Sequence, residues 1–437
     1  MEDVTRMNAD EYVQQGQTLL GAAKIEDALS YFDKALEENP MHYDAHVSKG
    51  IAYLMQGATG TARECFERAV MVDKTFPSAY FYLGDADLLE GMPEQGILHY
   101  NTAISYGYEN ADVYFNLALL HEQLGAGDDA MKNINKAISL EELNARYRSK
   151  KAALQITMGK YAEAIQTCEE LRRLVPDSFE SFHLASTAYA AMGNYEAADR
   201  LLAFAEEAFP GDLDIRYDRT RVLLAQDRVD EALELLNGMR EIAETPEEQQ
   251  GILIGLGKAA GQKGDTAGMI AYLEEALAIG GNENSDIEAR YLLMNACIAE
   301  GDFKKLLENA EKIAEGDNRN EFVLSGKYYI AMAKRQLNDP SATAAYKEAI
   351  SYYRSISLDN PSRTDAYLFR AMCLKDLNQY DKALELVDYV IKLQPENGQL
   401  HAVRGNLLRG AGRNAEADQE FRLAEQFGFD SPIGKEA

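Results

Sequence analysis

Residues 12–40 read YVQQGQTLLGAAKIEDALSYFDKALEENP, and this stretch decides the fold. Ala28, Phe32 and Ala35 stand four and three residues apart, which places them on one face of an α-helix. Gly16 sits one helix earlier, where a small residue lets another helix approach closely. Pro40 ends the unit, because proline has no N–H to continue a helical ladder. The stretch predicts two α-helices packed on each other.

Moving outward, the same pattern returns every 34 residues. Glycines recur at Gly16, Gly50 and Gly84. Small residues recur at Ala28, Ala62, Gly96, Ala130, Ala164, Ala198 and Ala232, and again at Ala35, Ala69, Ala103, Ala137 and Ala205. A fixed period of this length is the mark of stacked supersecondary units. Unit starts fall at 9, 43, 77, 111, 145, 179, 213, 250, 287, 323, 364 and 398, the first seven in strict register. A large apolar residue fills the twenty-fourth position in Phe32, Phe66, Tyr100, Leu202, Tyr346 and Phe421. All ten prolines fall in or beside expected turns, and no stretch alternates with period two, so the chain reads as all-α.

The motif Tyr12-x3-Gly16-x2-Leu19…Ala28-x3-Phe32-x2-Ala35…Pro40 resembles the tetratricopeptide repeat, and the resemblance extends over residues 9–431 as about twelve repeats. It implies a right-handed α-solenoid superhelix of helix-turn-helix units. The chain departs from the family pattern in having no Trp at the fourth position, and in placing Met294 and Ile330 where a small residue is usual. The expected organisation is an N-terminal extension at 1–8, repeats one to seven at 9–236, a possible joint at 237–249, repeats eight to twelve at 250–431 and a tail at 432–437.

Charge and cysteine usage narrow the function classes. With 72 acidic and 44 basic residues the formal charge is −28, which disfavours nucleic acid and anionic membranes as partners. No apolar run reaches the roughly 20 residues of a membrane span. The N-terminus lacks a basic segment followed by an apolar one, so no signal peptide is read there. Cys65, Cys168, Cys297 and Cys373 have no partner at metal-ligand or disulfide spacing and read as small core residues of a reducing compartment. A cytoplasmic protein is expected; an exported protein whose leader is absent from this chain is the other reading.

Chemistry is sparse. Gly255-Leu-Gly257-Lys-Ala-Ala-Gly261 has its third glycine one residue late and no preceding strand, so it is not a dinucleotide-binding turn. His42 and His46 stand at i, i+4 with no third metal-ligand pattern, which favours local structural roles. No nucleophile sits in a recognisable elbow. The sequence reads as non-catalytic, with no cofactor and no metal.

The resemblance implies that first-helix positions 2, 5, 6, 9, 12 and 13 of each repeat line a concave groove. In repeats two to four these are Val47, Ile51, Leu54, Met55, Phe81, Tyr82, Leu88, Leu89, Phe115, Asn116 and Leu119. Two readings stand: an exposed apolar binding surface, or ordinary packing against the next repeat. Repeats ten to twelve place Lys327, Lys334, Arg335, Lys375 and Arg409 at the same positions. Those cations either complement an acidic peptide or pair with acids such as Asp365 and Asp376. Asn295 and Asn406 join Asn116 as groove asparagines. The Lys/Asn set by which some members of the family clamp a terminal carboxylate is not reproduced, since Phe81 stands where a Lys is needed. Phe421, Phe427 and Phe429 near the C-terminus are expected to be exposed unless that end self-associates or folds back on itself. The expected function is a scaffold or adaptor binding an extended segment of a protein partner, with a small-peptide sensor that changes superhelix shape as the alternative.

Overall fold

The structure is a computed structural model that describes residues 7–316 and 320–429. The expected extension at 1–8 lies partly, and the tail at 432–437 wholly, outside the described residues. Among the described residues the chain forms twenty-four α-helices and no strand. Two compact units divide between Pro210 and Gly211.

The first unit holds six helix pairs. They are α1 (Ala9–Gly21) with α2 (Ile25–Glu38), α3 (Tyr43–Met55) with α4 (Thr59–Val72), and α5 (Pro77–Glu90) with α6 (Pro93–Ser105). Next come α7 (Ala111–Gln123) with α8 (Gly127–Leu140), α9 (Ala145–Thr157) with α10 (Tyr161–Leu174), and α11 (Phe179–Ala191) with α12 (Tyr195–Ala208). The second unit also holds six pairs. They are α13 (Leu213–Ala225) with α14 (Val229–Arg240), α15 (Pro246–Gln262) with α16 (Thr266–Ile279), and α17 (Glu283–Glu300) with α18 (Phe303–Ile313). The last three are α19 (Glu321–Gln336) with α20 (Ala342–Asp359), α21 (Thr364–Asp376) with α22 (Tyr380–Leu393), and α23 (Gly398–Gly410) with α24 (Asn414–Gln426). Within each unit every helix packs on its sequence neighbours, and most odd-numbered helices, such as α1 and α3 or α19 and α21, also touch the next odd-numbered one. This is the nearest-neighbour packing of a solenoid.

Close helix approach explains the small residue at position 8. A Cβ built at Gly16 would lie 2.5 Å from the Phe32 ring, and one at Gly84 would lie 2.6 Å from Tyr100. The aromatic at position 24 thus fills the space that a side chain at position 8 would need. The ninth repeat inverts the arrangement: Met294 is fully buried at position 8, while the small Ala310 occupies position 24.

The turn inside each pair carries a second periodic signal. One residue per turn has positive φ: Ala23, Gly57, Gly91, Gly125, Gly159, Gly193, Asp227, Gly264, Gly301, Asn338, Asn378 and Gly412. Glycine, Asn and Asp tolerate this left-handed conformation best, which is why the position is mostly Gly. These residues measure repeat register independently of the core. In the tenth repeat Asn338 and the fully buried Ala331 sit one residue later than the sequence spacing places them. Ala331, not Ile330, is the close-packing residue there, so Arg335 rather than Lys334 takes the twelfth position.

Candidate functional site

A cavity of about 540 Å³ opens in the second unit. Four odd-numbered helices line it: α17 with Tyr291, α19 with Phe322, α21 with Leu368, Phe369, Met372 and Lys375, and α23 with Gln399, Val403 and Asn406. The residues of α21 and α23 fall at positions 2, 5, 6, 9 and 12, so the cavity lies in the groove face implied by the repeat. Its floor is apolar and largely half-buried. Tyr291 and Phe322 pack at 4.6 Å between ring centroids and close one end. Gln399 and Asn406, two helical turns apart on α23, are exposed, and their amide groups have no hydrogen-bond partner among the described residues. Asp365, also in the wall, is held by the Arg363 guanidinium through bonds of 3.0, 3.2 and 2.7 Å. The accessible cation in the wall is Lys375, whose Nζ stands 3.5 Å from Asp376. Apolar floor, free amides and one cation suit a peptide segment better than a small polar metabolite.

The expected apolar face of repeats two to four is different. Val47, Phe81 and Phe115 are core residues, 7%, 8% and 3% exposed. Phe81 is enclosed by Tyr82, Tyr100 and Tyr108 at centroid distances of 5.1, 5.8 and 4.9 Å. Phe115 packs on Tyr147 at 5.1 Å under the Arg146 guanidinium. Position 5 is buried in these repeats, for Phe115 against Tyr147 of the next repeat, so of the two readings packing holds there and an exposed aromatic anchor does not. Ile51, Leu54, Tyr82, Leu88 and Leu119 are half-buried, while Met55 and Leu89 are exposed.

Asn116 is also engaged. Its Nδ2 donates to Asp85 Oδ1 and to the Tyr100 hydroxyl oxygen, both at 3.0 Å, and the Tyr100 hydroxyl donates to Asp85 at 2.5 Å. Burial pushes the Asp85 carboxyl up to about 6, against the opposing pull of these hydrogen bonds. An amide bound in this way is not available to a ligand.

Of the expected basic set, most members have intramolecular work. Lys327 pairs with Glu348 at 2.9 Å and Arg335 donates to the Asp376 carbonyl at 2.6 Å. Arg409 lies 3.4 Å from Asp418 and over the Phe421 ring. Lys334 is half-buried and makes no ion pair among the described residues.

The histidines serve packing. His42 accepts from the Ala45 N–H at 3.3 Å to cap α3, and its Nε2 meets Asp10 at 2.9 Å. His46 donates Nε2–H to the Pro40 carbonyl at 2.9 Å, and burial lowers its pKa. His401, at the same repeat position, donates to the Pro395 carbonyl at 3.0 Å. The likeness continues around them: Lys49 pairs with Asp33, and Arg404 with Asp388, each at 2.6 Å. Cys65 stands where the last repeat has Glu420, which binds His401 at 2.8 Å and Arg404 at 2.5 Å. Another buried acid, Asp87, lies 2.9 Å from Arg63 and 2.5 Å from His99. These clusters satisfy buried charges between helices, as burial demands. Burial raises the pKa of all four cysteines, which disfavours the reactive thiolate. Among the described residues no group of three His, Cys, Asp or Glu is placed to hold a metal, and no helix is long and apolar enough to cross a membrane.

The last repeat covers its own end. Phe421 is 5% exposed, correcting the expectation that it faces solvent. Phe427 packs on His401 at 5.4 Å, and Phe429 lies so close to Gly398 that a Cβ there would meet it at 2.8 Å.

Stacked helix pairs with a groove on their odd-numbered helices define a helical-repeat solenoid protein. Tetratricopeptide repeat models match residues 13–80, 111–142, 189–253 and 342–426, more than half of the chain, and the chain belongs to the tetratricopeptide repeat family. The chain is similar to the TPR repeat-containing protein YpiA of Bacillus subtilis (strain 168), 25% identical over 53% of this chain and 55% of that protein. It is also similar to the DnaJ homolog subfamily C member 3 of Homo sapiens, 24% identical over 44% of this chain and 41% of that protein. It thus spans about half the length of these curated relatives. Among solved structures, a tetratricopeptide repeat protein from Parabacteroides merdae ATCC 43184 aligns with TM-score 0.46 and 16% identity, over 58% of this chain and 98% of that one.

Sequence reasoning reached Lys375 and Asn406 in the cavity but missed Tyr291, Phe322, Leu368, Phe369, Met372, Gln399 and Val403. Most of those on α21 and α23 sit at the groove positions already in use for repeats two to four. The signal is present in the spacing, since Leu368, Phe369 and Met372 hold positions 5, 6 and 9 of their repeat beside Lys375 at position 12.

Proposed function

We propose that this chain is a non-catalytic scaffold or adaptor that holds an extended segment of a partner protein in the groove of its second unit, with a bulky apolar side chain of the partner seated in the cavity. Proteins of this repeat family are generally protein-interaction scaffolds. The observation that carries the reading is an apolar cavity spanning four successive groove helices, flanked by the free amides of Gln399 and Asn406. The amides offer donors and acceptors to a peptide backbone, and the floor offers burial to its side chain. Burying one Leu or Phe side chain contributes about 1.5–3 kcal/mol, or roughly ten- to a hundred-fold in affinity.

Panning a displayed peptide library on the folded chain tests this. Enriched peptides are expected to carry a bulky apolar residue and to bind Met372→Arg at least about tenfold more weakly, since the guanidinium enters the seat. The far-ultraviolet spectrum of the variant is expected to match that of the unaltered chain. Peptides that bind Met372→Arg undiminished would remove the cavity from the binding site.

A further inference from the structure

Lys49 and Arg404 are the seventh residues of their repeats, and the second helix of the repeat before supplies each with a carboxylate at 2.6 Å. Asp33 stands sixteen residues before Lys49, and Asp388 sixteen before Arg404. Arg404 also donates to Glu420, sixteen residues beyond it on its own second helix. The same interval runs between α20 and α21. Tyr353 stacks on Phe369 at 5.6 Å between ring centroids, as Phe66 stacks on Tyr82 at 5.4 Å, both pairs being sixteen residues apart. One residue further on, that interval joins Arg354 to Arg370, the seventh residue of its repeat. Sixteen residues beyond Arg370 is Leu386. The eleventh repeat thus places an arginine and a leucine where the twelfth has two carboxylates.

Two guanidinium groups therefore share a junction that supplies no acid. The Arg370 Nε is buried without a hydrogen-bond partner, and neither guanidinium makes an ion pair among the described residues. Burial, and after it the Arg354 charge, lower the pKa of Arg370. Tyr367 pulls the other way, and no carboxylate is among the groups that act on it. Holding a half-buried cation beside a like charge is unfavourable. In a chain with 72 acidic residues, none of those described is used to relieve it. Arg354 is exposed, so the pair is reached from solvent. Tyr367, one turn before Arg370 on α21, packs on the Tyr389 ring at 4.8 Å beside them.

We propose that Arg354 and Arg370 form a binding site for a phosphate dianion, free or carried as a phosphomonoester. Two guanidinium groups call for two negative charges. A phosphomonoester brings about two near neutral pH, whereas a carboxylate brings one. Each planar fork can donate to two oxygens of one tetrahedral group. The anion does for Arg370 what Asp388 does for Arg404, and its second charge answers Arg354. Neither arginine lines the cavity, so this site is separate from the groove and stands or falls without it.

Thermal unfolding of the full chain at about pH 7.5 tests the site, with inorganic phosphate compared against sodium chloride at equal ionic strength. About 20 mM phosphate is expected to raise the midpoint by about 2 °C over chloride. Arg354→Asp recreates the acid–arginine pair formed by Asp388 and Arg404. In chloride it is expected to unfold about 2 °C above the unaltered chain, and in phosphate to show no further rise. Arg370→Gln is expected to lose the phosphate response as well. No advantage of phosphate over chloride would overturn the proposal, and so would a response that survives in either variant. An Arg354→Asp midpoint below that of the unaltered chain in chloride would show that the two arginines do not oppose each other, with the same consequence. Calorimetric titration with inorganic phosphate and with N-acetyl-phosphoserine amide then separates the sources. Tighter binding of the ester assigns the site to a phosphorylated side chain, tighter binding of the ion assigns it to free phosphate, and binding of neither overturns it.

Discussion

At the residue scale, Asp85 shows how this array handles a carboxyl that packing has enclosed. Its carboxyl is raised from 3.8 to about 6 because burial penalises the charge more than Tyr100 and Asn116 relieve it. The folded value lies above the unfolded one, so the group favours the fold at low pH and loses that contribution as pH rises through about 6. A shift of about two units corresponds to roughly 3 kcal/mol at most. Asp85→Asn removes the ionisation while keeping a carbonyl to accept from Tyr100. Its thermal midpoint relative to the unaltered chain is expected to be higher at pH 8 than at pH 4.5. A difference that does not vary between those pH values would show that Asp85 ionises in the fold without cost.

At the scale of the helix pair, complementary volumes at positions 8 and 24 set the fold. Met294 fills from the first helix of its pair what Phe32, Phe66 and Tyr100 fill from the second, and Ala310 makes room for it. Met294→Ala would leave two small residues facing one core, and is expected to cost about 2–4 kcal/mol by the large-to-small rule. Adding Ala310→Phe should return part of that loss, measured by thermal unfolding of the single and double variants. A double variant no more stable than Met294→Ala would mean that the two positions do not share a space. The same reasoning explains what was legible in the sequence. The helix pairs could be read because small and large residues recur at fixed intervals. The first helices of pairs one to seven begin at the expected residues, from Ala9 to Leu213. The tenth repeat was misread by one residue because Ile330 and Ala331 are adjacent, and only the left-handed Asn338 fixes which of them faces inward. The site was less legible than the fold. Whether position 5 faces solvent or core depends on which rings surround it: Phe81 is closed in by Tyr100 and Tyr108, whereas Leu368 stays open to the cavity. Spacing alone does not carry that distinction.

At the scale of the whole molecule, charge acts on stability and on recognition with opposite sign. A chain of formal charge −28 repels itself when folded, and each described ion pair on its surface offsets only a little of that repulsion. Under the proposed function, Lys375 in the cavity wall is a local exception that would attract a carboxylate of a bound segment. Added salt screens both interactions over a Debye length of about 10 Å at 0.1 M. Raising sodium chloride from about 20 mM to about 300 mM is therefore expected to increase the thermal midpoint by about 2–5 °C, through relief of self-repulsion. Over the same range, affinity for an acidic peptide is expected to fall several-fold, while binding of an uncharged apolar peptide changes little. Calorimetry and anisotropy on one preparation read both effects. A midpoint that falls with salt would mean that ion pairs such as Asp87 with Arg63 outweigh the net repulsion. An acidic peptide insensitive to salt would mean that burial in the cavity, rather than Lys375 in its wall, supplies the affinity.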